Sequence, residues 1–339
     1  MTTAIQEIRH ITRRVINCIT AGAVILLYHR VVDLDNDPQM LEVSPSRFEE
    51  HMSILRNRYR VMPMQEFRCT LTKGKVERHT VIITFDDGYY DNYKHALPIL
   101  EYHQVPAAFY VASTNLDTQN EFWWDDLERI LLTTQLLPSE FEIEIAGKRH
   151  HWETGQYATM DQFHVLDGGP LHPRQRMYMD LCRIFRQLEV DQQRQVLDKM
   201  TSWAGVEKTG RVTHRSMTSN ELIKLSKSKF ATIGGHTHHH CELSRLPGDE
   251  QQRDIERNKQ QLEKIIGKKV DTFSYPFGSR VSYNEQSVAA VKSAGYLNAC
   301  SNFPGVARRD VNMFELPRVL VRDWSADEFK QHMRRWFCE

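Results

Sequence analysis

The chain has 339 residues, enough for one large domain or two ordinary ones. Apolar residues make up 40% and charged residues 26%, a globular composition that excludes the disordered and fibrous classes. Basic and acidic residues balance at 44 each, so the basic excess of a dedicated nucleic-acid binder is missing.

Near the N-terminus, Arg9, Arg13 and Arg14 precede an apolar run from Val15 to Leu27. The run carries Asn17, Thr20 and Gly22, is too short to span a bilayer, and is followed by Tyr28, His29 and Arg30 instead of a small-residue cleavage site. "AVILLYHRV" therefore reads as a buried first strand. The six cysteines (Cys18, Cys69, Cys182, Cys241, Cys300, Cys338) form no CxxC pair and read as free thiols of a reducing compartment. Together these features predict a cytoplasmic protein with no stable membrane insertion.

Further along, "VIITFDD", "AAFYVAS", "FATIGGH", "DTFSYPF" and "YLNACSN" have the length and composition of strands buried on both faces. Helical patterns alternate with them in "DNYKHALPILEYHQ", "DIERNKQQLEKIIGKK" and "EQSVAAVKSAG", which predicts βαβ units around a parallel sheet or barrel. The stretch 114–218 breaks the rhythm. It holds "FWWDDLERILLTTQLL", a strand-like "FEIEIAGKRHHW" and one long helical stretch ending in "DKMTSW". It is read as a mainly helical insertion within a single catalytic domain, 1–339, either a plain cap or a lid over the substrate.

Polar motifs fall at the strand ends, where parallel α/β folds build their sites. Asp86 and Asp87 end the second strand, and Gly88 permits the turn after them. "GGHTHHH" ends the fourth strand; His236 and His240 share a face if that segment turns helical, and H-x-x-x-H is a metal-ligand spacing. Two imidazoles and one carboxylate leave coordination positions open for water, as in catalytic metal sites.

The ordered set "TFDDG", "HTHHH" and "YPFG" resembles the polysaccharide deacetylase (NodB-homology) family, carbohydrate esterase family four, over about residues 22 to 325. The resemblance implies an irregular (β/α)7 barrel. It implies that Asp87, His236 and His240 bind a divalent metal, usually zinc, with Co2+, Ni2+ or Mn2+ able to serve. It implies that Asp86 is the catalytic base and that the Phe277 backbone N–H is an oxyanion donor. The chain departs from the pattern in the third motif, where Ser274 or Tyr275 stands in the region of an arginine that holds the catalytic aspartate; Arg318 of "ELPRV" is the expected replacement. Cys241 stands where many members have proline, with little effect expected, since neither residue is a ligand. No late L-x-H histidine is found, so His29 and, in the insertion, Asp125 are the candidate proton donors. Phe277, Tyr275 and Trp124 are the candidate substrate-binding residues, and Trp124, with Trp123 and Trp152, offers aromatic faces on which a sugar ring could stack.

The expected activity is metal-dependent hydrolysis of an N-acyl, mainly N-acetyl, group on an amino sugar or oligosaccharide of surface-polysaccharide biosynthesis. The alternatives are another C–N hydrolase, deformylase or allantoinase-like, and a non-catalytic carbohydrate-binding protein.

Overall fold

Eight parallel strands form the main sheet of the computed structural model, which describes residues 22–155, 163–166 and 171–338. The N-terminal arginines and the start of the apolar run lie outside the described residues. In chain order the elements begin with β1 (Ala23–Tyr28), β2 (Arg30–Val31), β3 (Glu42–Val43), α1 (Pro45–Arg58), β4 (Arg60–Val61), α2 (Met64–Thr72), β5 (Thr80–Phe85), α3 (Leu97–His103) and β6 (Ala107–Val111). There follow α4 (Trp123–Glu128), β7 (Glu140–Ile145), β8 (Lys148–Glu153), α5 (Pro173–Phe185) and α6 (Val190–Ala204). The last group is α7 (Ser219–Lys227), β9 (Ala231–Gly235), α8 (Gly248–Ile266), β10 (Thr272–Ser274), α9 (Glu285–Ser293), β11 (Asn298–Cys300), β12 (Val319–Leu320) and α10 (Ala326–Cys338).

The chain separates into two compact units. One comprises the segment before Leu34, Glu42–Thr114 and Ser219–Glu339; the other comprises Leu34–Leu41 and Asn115–Thr218. The short segment Leu34–Leu41 carries no sequence signal that would assign it to the second unit.

In the first unit the strand order is β11-β10-β9-β6-β5-β1-β12, with β4 also on β5. All six strands expected from apolar runs form. Every residue of β1 and β5 is buried, so neither strand alternates polar with apolar, and both read as continuous hydrophobic runs. The stretch 316–320 reaches both edges of this sheet. Leu316 bridges to Cys300 of β11, and three residues later Val319 pairs with Leu26 of β1. That one segment curls the parallel sheet into the irregular barrel expected for the family. The helix expected from Asp254 starts earlier, at Gly248. The one expected over 91–104 opens with a wide π turn at Asn92–Ala96.

The second unit packs α4, α5, α6 and the β7–β8 hairpin around its own apolar cluster, including Leu127, Phe141, Met177, Leu181 and Phe185. The hairpin turns on Ala146 and Gly147, both in the left-handed region that a tight two-residue turn demands. The long helical stretch expected here is two helices. At residues 186–189 no proline or glycine marks the break; the second helix instead starts from a reciprocal cap between Glu189 and Gln192.

Candidate metal centre and carboxylate clamp

Asp87, His236 and His240 are all buried, and their ligand atoms lie within 4.8 Å of one another. His236 Nε2 stands 3.3 Å and His240 Nε2 3.1 Å from the same oxygen, Asp87 Oδ1. His236 Nδ1 lies 2.8 Å from the Ser274 carbonyl, which can only accept, so the ring donates there and Nε2 is the nitrogen that faces the carboxylate. Two imidazoles and a carboxylate converging, with no fourth ligand residue among the described residues, suit a divalent ion that keeps open positions.

The route by which His236 and His240 converge differs from the helical turn expected. Residues 236–240 form no helix; Thr237 (φ 62°) and His240 (φ 55°) adopt left-handed backbone, and the Thr237 hydroxyl accepts the His240 N–H. Asp87 (φ 74°) and Phe277 (φ 59°) share that conformation. Left-handed backbone is uncommon outside glycine and costly for a β-branched residue, and such positions cluster at functional sites. The turn at Asp87 also breaks the strand's alternation, so both carboxylates approach His236: Asp86 Oδ2 lies 3.9 Å from His236 Nε2.

Asp86 is gripped by Arg318, whose Nη1 donates to Oδ1 at 2.7 Å and whose Nη2 donates to Oδ2 at 2.6 Å. The guanidinium is itself fixed by the Ser301 carbonyl (2.7 Å), the Thr84 hydroxyl (3.2 Å) and the Ser274 hydroxyl (2.8 Å). Ser274 also donates to Asp86 Oδ2 at 3.1 Å. The arginine absent from the third motif is thus supplied from the segment that closes the barrel, and Ser274 is a polar bridge to it. Sequence reasoning proposed Arg318 but missed the roles of Ser274, Ser301 and Thr84, which carry no motif of their own.

Burial pushes the Asp86 carboxyl up, but Arg318 and His236 outweigh it and hold it below the ordinary range. Burial is likewise outweighed at Asp87, where hydrogen bonds from His236 and His240 hold the carboxyl well below that range. His236 is raised, because the two aspartates overcome its desolvation, whereas desolvation prevails at His240 and lowers it. His29, just past β1, is also lowered by desolvation against the opposing pull of Asp87 and Asp86. It is partly exposed, and its buried Nδ1 has no hydrogen-bond partner. The Phe277 ring meets His240 edge-on at 5.0 Å between centroids.

Two expected sugar contacts are placed differently. Tyr275 is 1% exposed; its ring stacks on Tyr283 at 4.0 Å and its hydroxyl donates to the Phe314 carbonyl, so it has no face to offer a ligand. Trp124 is buried in the second unit with its ring stacked on Phe122 at 4.7 Å. Asp125 belongs to the second unit as well.

The polysaccharide deacetylase family model matches residues 73–156 and 184–299, which hold both aspartates and both ligand histidines. The chain belongs to the polysaccharide deacetylase family. It is 23% identical to YxkH of Bacillus subtilis (strain 168), over 88% of this chain and 70% of that one. It is 22% identical to a poly-beta-1,6-N-acetyl-D-glucosamine N-deacetylase of Staphylococcus aureus (strain MSSA476), over 87% of this chain and 71% of that one. The fold is similar to that of the Streptococcus pyogenes deacetylase PplD, with a TM-score of 0.58 and 16% identity over 93% of this chain and 99% of that one. IcaB of Ammonifex degensii gives 0.56 and 18% over 94% and 98%. The protein is therefore a metal-dependent carbohydrate deacetylase acting on amide C–N bonds, and its Asp87, His236 and His240 form a cluster that could hold a metal ion.

Proposed function

We propose that Asp87, His236 and His240 hold the metal, zinc in this reading, and that the deacetylase removes an acetyl group from N-acetylglucosamine units of a surface polysaccharide or its precursor. The observation that carries the reading is the Arg318–Asp86 clamp beside the Asp-His-His cluster. A carboxylate fixed by a fork of two hydrogen bonds serves proton transfer; binding alone needs no such group. When bound, the ion acidifies a water and polarises the acyl carbonyl. Asp86, kept ionised by Arg318, accepts the water proton. The Phe277 N–H donates to the oxyanion. The water proton is relayed from Asp86 to His29, neutral at rest, which delivers it to the leaving nitrogen as the acyl C–N bond breaks, giving acetate and a free amine and returning Asp86 to its ionised form. The unpartnered Nδ1 of His29 supports that role.

The substrate class is supported by the Staphylococcus relative's activity. A cytoplasmic site of action is part of the proposal, supported by the free thiols Cys69, Cys182, Cys241 and Cys300. The sugar would then be met as a nucleotide- or lipid-linked unit or a short oligomer. No described helix is long and apolar enough to cross a membrane. The single-domain reading of 1–339, with the second unit as an insertion in it, belongs to the same proposal.

The test is acetate release from β-1,6-linked N-acetylglucosamine oligomers and from nucleotide-linked N-acetylglucosamine. The activity should vanish on chelation and fall at least a hundredfold in Asp86→Asn. Hydrolysis that survives both changes would refute the mechanism.

A further inference from the structure

Four histidines stand within residues 236–240, and two of them ligate nothing in the cluster above. His238 and His239 point instead to a second polar arrangement. Helix α8 presents Asp254, Asn258 and Gln261 at spacings of four and three, hence along one face. Asn258, fully buried, accepts the His236 N–H on Oδ1 at 3.1 Å and donates from Nδ2 to the Val111 carbonyl (3.0 Å) and the Ser113 hydroxyl (3.1 Å). One turn earlier, Asp254 Oδ2 accepts the His238 N–H at 2.8 Å and the His239 N–H at 3.4 Å, while Oδ1 meets His239 Nδ1 at 2.5 Å. Ser113 Oγ in turn lies 2.9 Å from His238 Nδ1, and Gln261 Nε2 donates to the Ser113 carbonyl.

Three of the four peptide N–H groups from 236 to 239, those of His236, His238 and His239, are thus read by one helix face. Glycine at 235 is what lets the strand end come this close. A Cβ there would sit 2.8 Å from Asn258 Oδ1 and 2.1 Å from the Tyr296 hydroxyl. The loop also contains Thr237 and His240 in left-handed backbone, a shape that local preference resists and that surrounding contacts must impose.

We propose that α8 is the template of the metal loop: Asp254 and Asn258 are positioning residues that hold the Thr237 and His240 turns in place and so set metal affinity, with His239 as the strap that keys the loop to Asp254. This inference rests on the assignment of Asp87, His236 and His240 as ligands.

The experiment compares wild type, Asn258→Ala, Asp254→Asn and a control, Ile255→Val, whose side chain is buried on the same helix. Two quantities are read for each: the Zn2+ dissociation constant by competition with a chromogenic chelator, and the melting temperature of the metal-free protein. The Co2+ absorption spectrum reports ligand geometry independently of catalysis. Asn258→Ala and Asp254→Asn should bind Zn2+ at least tenfold more weakly and alter the Co2+ spectrum, while Ile255→Val lowers the melting temperature and leaves both metal readouts unchanged. If Asn258→Ala does not fold, Asp254→Asn decides. Wild-type affinity and spectrum in Asp254→Asn, with only a lower melting temperature, would overturn the inference while sparing the metal assignment. A wild-type protein that takes up no Zn2+ or Co2+ would overturn the metal assignment, and this inference with it.

Discussion

Arg318 reaches Asp86 across 232 positions of sequence, and the pair is almost wholly buried. Breaking a buried ion pair by removing one partner leaves an uncompensated charge and costs roughly 3–5 kcal/mol. Arg318→Met should therefore destabilise by about that much in denaturant unfolding. Its second effect has a definite sign. With the guanidinium gone, desolvation of Asp86 loses its main opponent and the carboxyl pKa rises. The acid limb of the kcat/KM profile should move to higher pH, whereas a purely structural loss would lower the whole profile without moving it. Arg318→Lys keeps the charge but not the fork, and should fall between the two. At this scale the sequence was most informative. Asp86, Asp87, His236 and His240 sit where strands end, and that periodicity is visible in letters. Ser274 and Ser301 were not visible, because a serine that orients an arginine looks like any other buried serine until its partner is known.

Among elements, the long buried strands were legible because burial on both faces leaves an unbroken apolar signature. The two-residue strands β2, β3, β4 and β12 were not, since a pair of residues has no period. α8 was legible as a helix, but its stripe of Asp254, Asn258 and Gln261 looks in sequence like a solvated face. The packing of α10 against α1 yields a pH prediction. His51 of α1 is fully buried, stacked on Phe329 of α10 at 4.0 Å. Its Nε2 donates to the Trp324 carbonyl at 2.8 Å, which leaves Nδ1 to accept from the Tyr28 hydroxyl at 3.2 Å. Desolvation lowers its pKa to about 4, against a smaller pull from Trp324 and the neighbouring Asp323 and Glu50. A histidine lowered in the folded state binds protons more readily when unfolded. Stability should thus drain away as pH falls from about 6.5 to about 4, by at most about 3 kcal/mol. His51→Gln, which keeps a donor and an acceptor without titrating, should flatten that slope in urea unfolding followed across the range.

For the molecule as a whole, a metal held at the proposed cluster would tie ligation to folding, because the cluster joins the end of β5 to the loop after β9 and exists only once both are placed. A ligand bound only by the native state stabilises it by about 2.7 kcal/mol at a hundredfold excess over its dissociation constant. Chelation should lower the melting temperature by several degrees in scanning calorimetry, and Asp87→Asn should make the transition indifferent to added Zn2+. The barrel class could be read from alternating strands and helices, but its closure could not. The stretch 316–320 joins β11 to β1, and nothing in "ELPRV" announces a strand that bridges the two edges of a sheet.

That closing stretch has a consequence for biosynthesis. Translation proceeds at about 5–20 residues per second, so the ribosome finishes Arg318 roughly 10–50 seconds after Asp86. Throughout that interval the nascent chain carries Asp86 without its counter-charge and an open sheet edge at β1, joined near its end by a second at β11, of the kind that recruit stray strands. The chain is inert toward its substrate and most prone to misassembly during the same interval, and both conditions end with the same few residues.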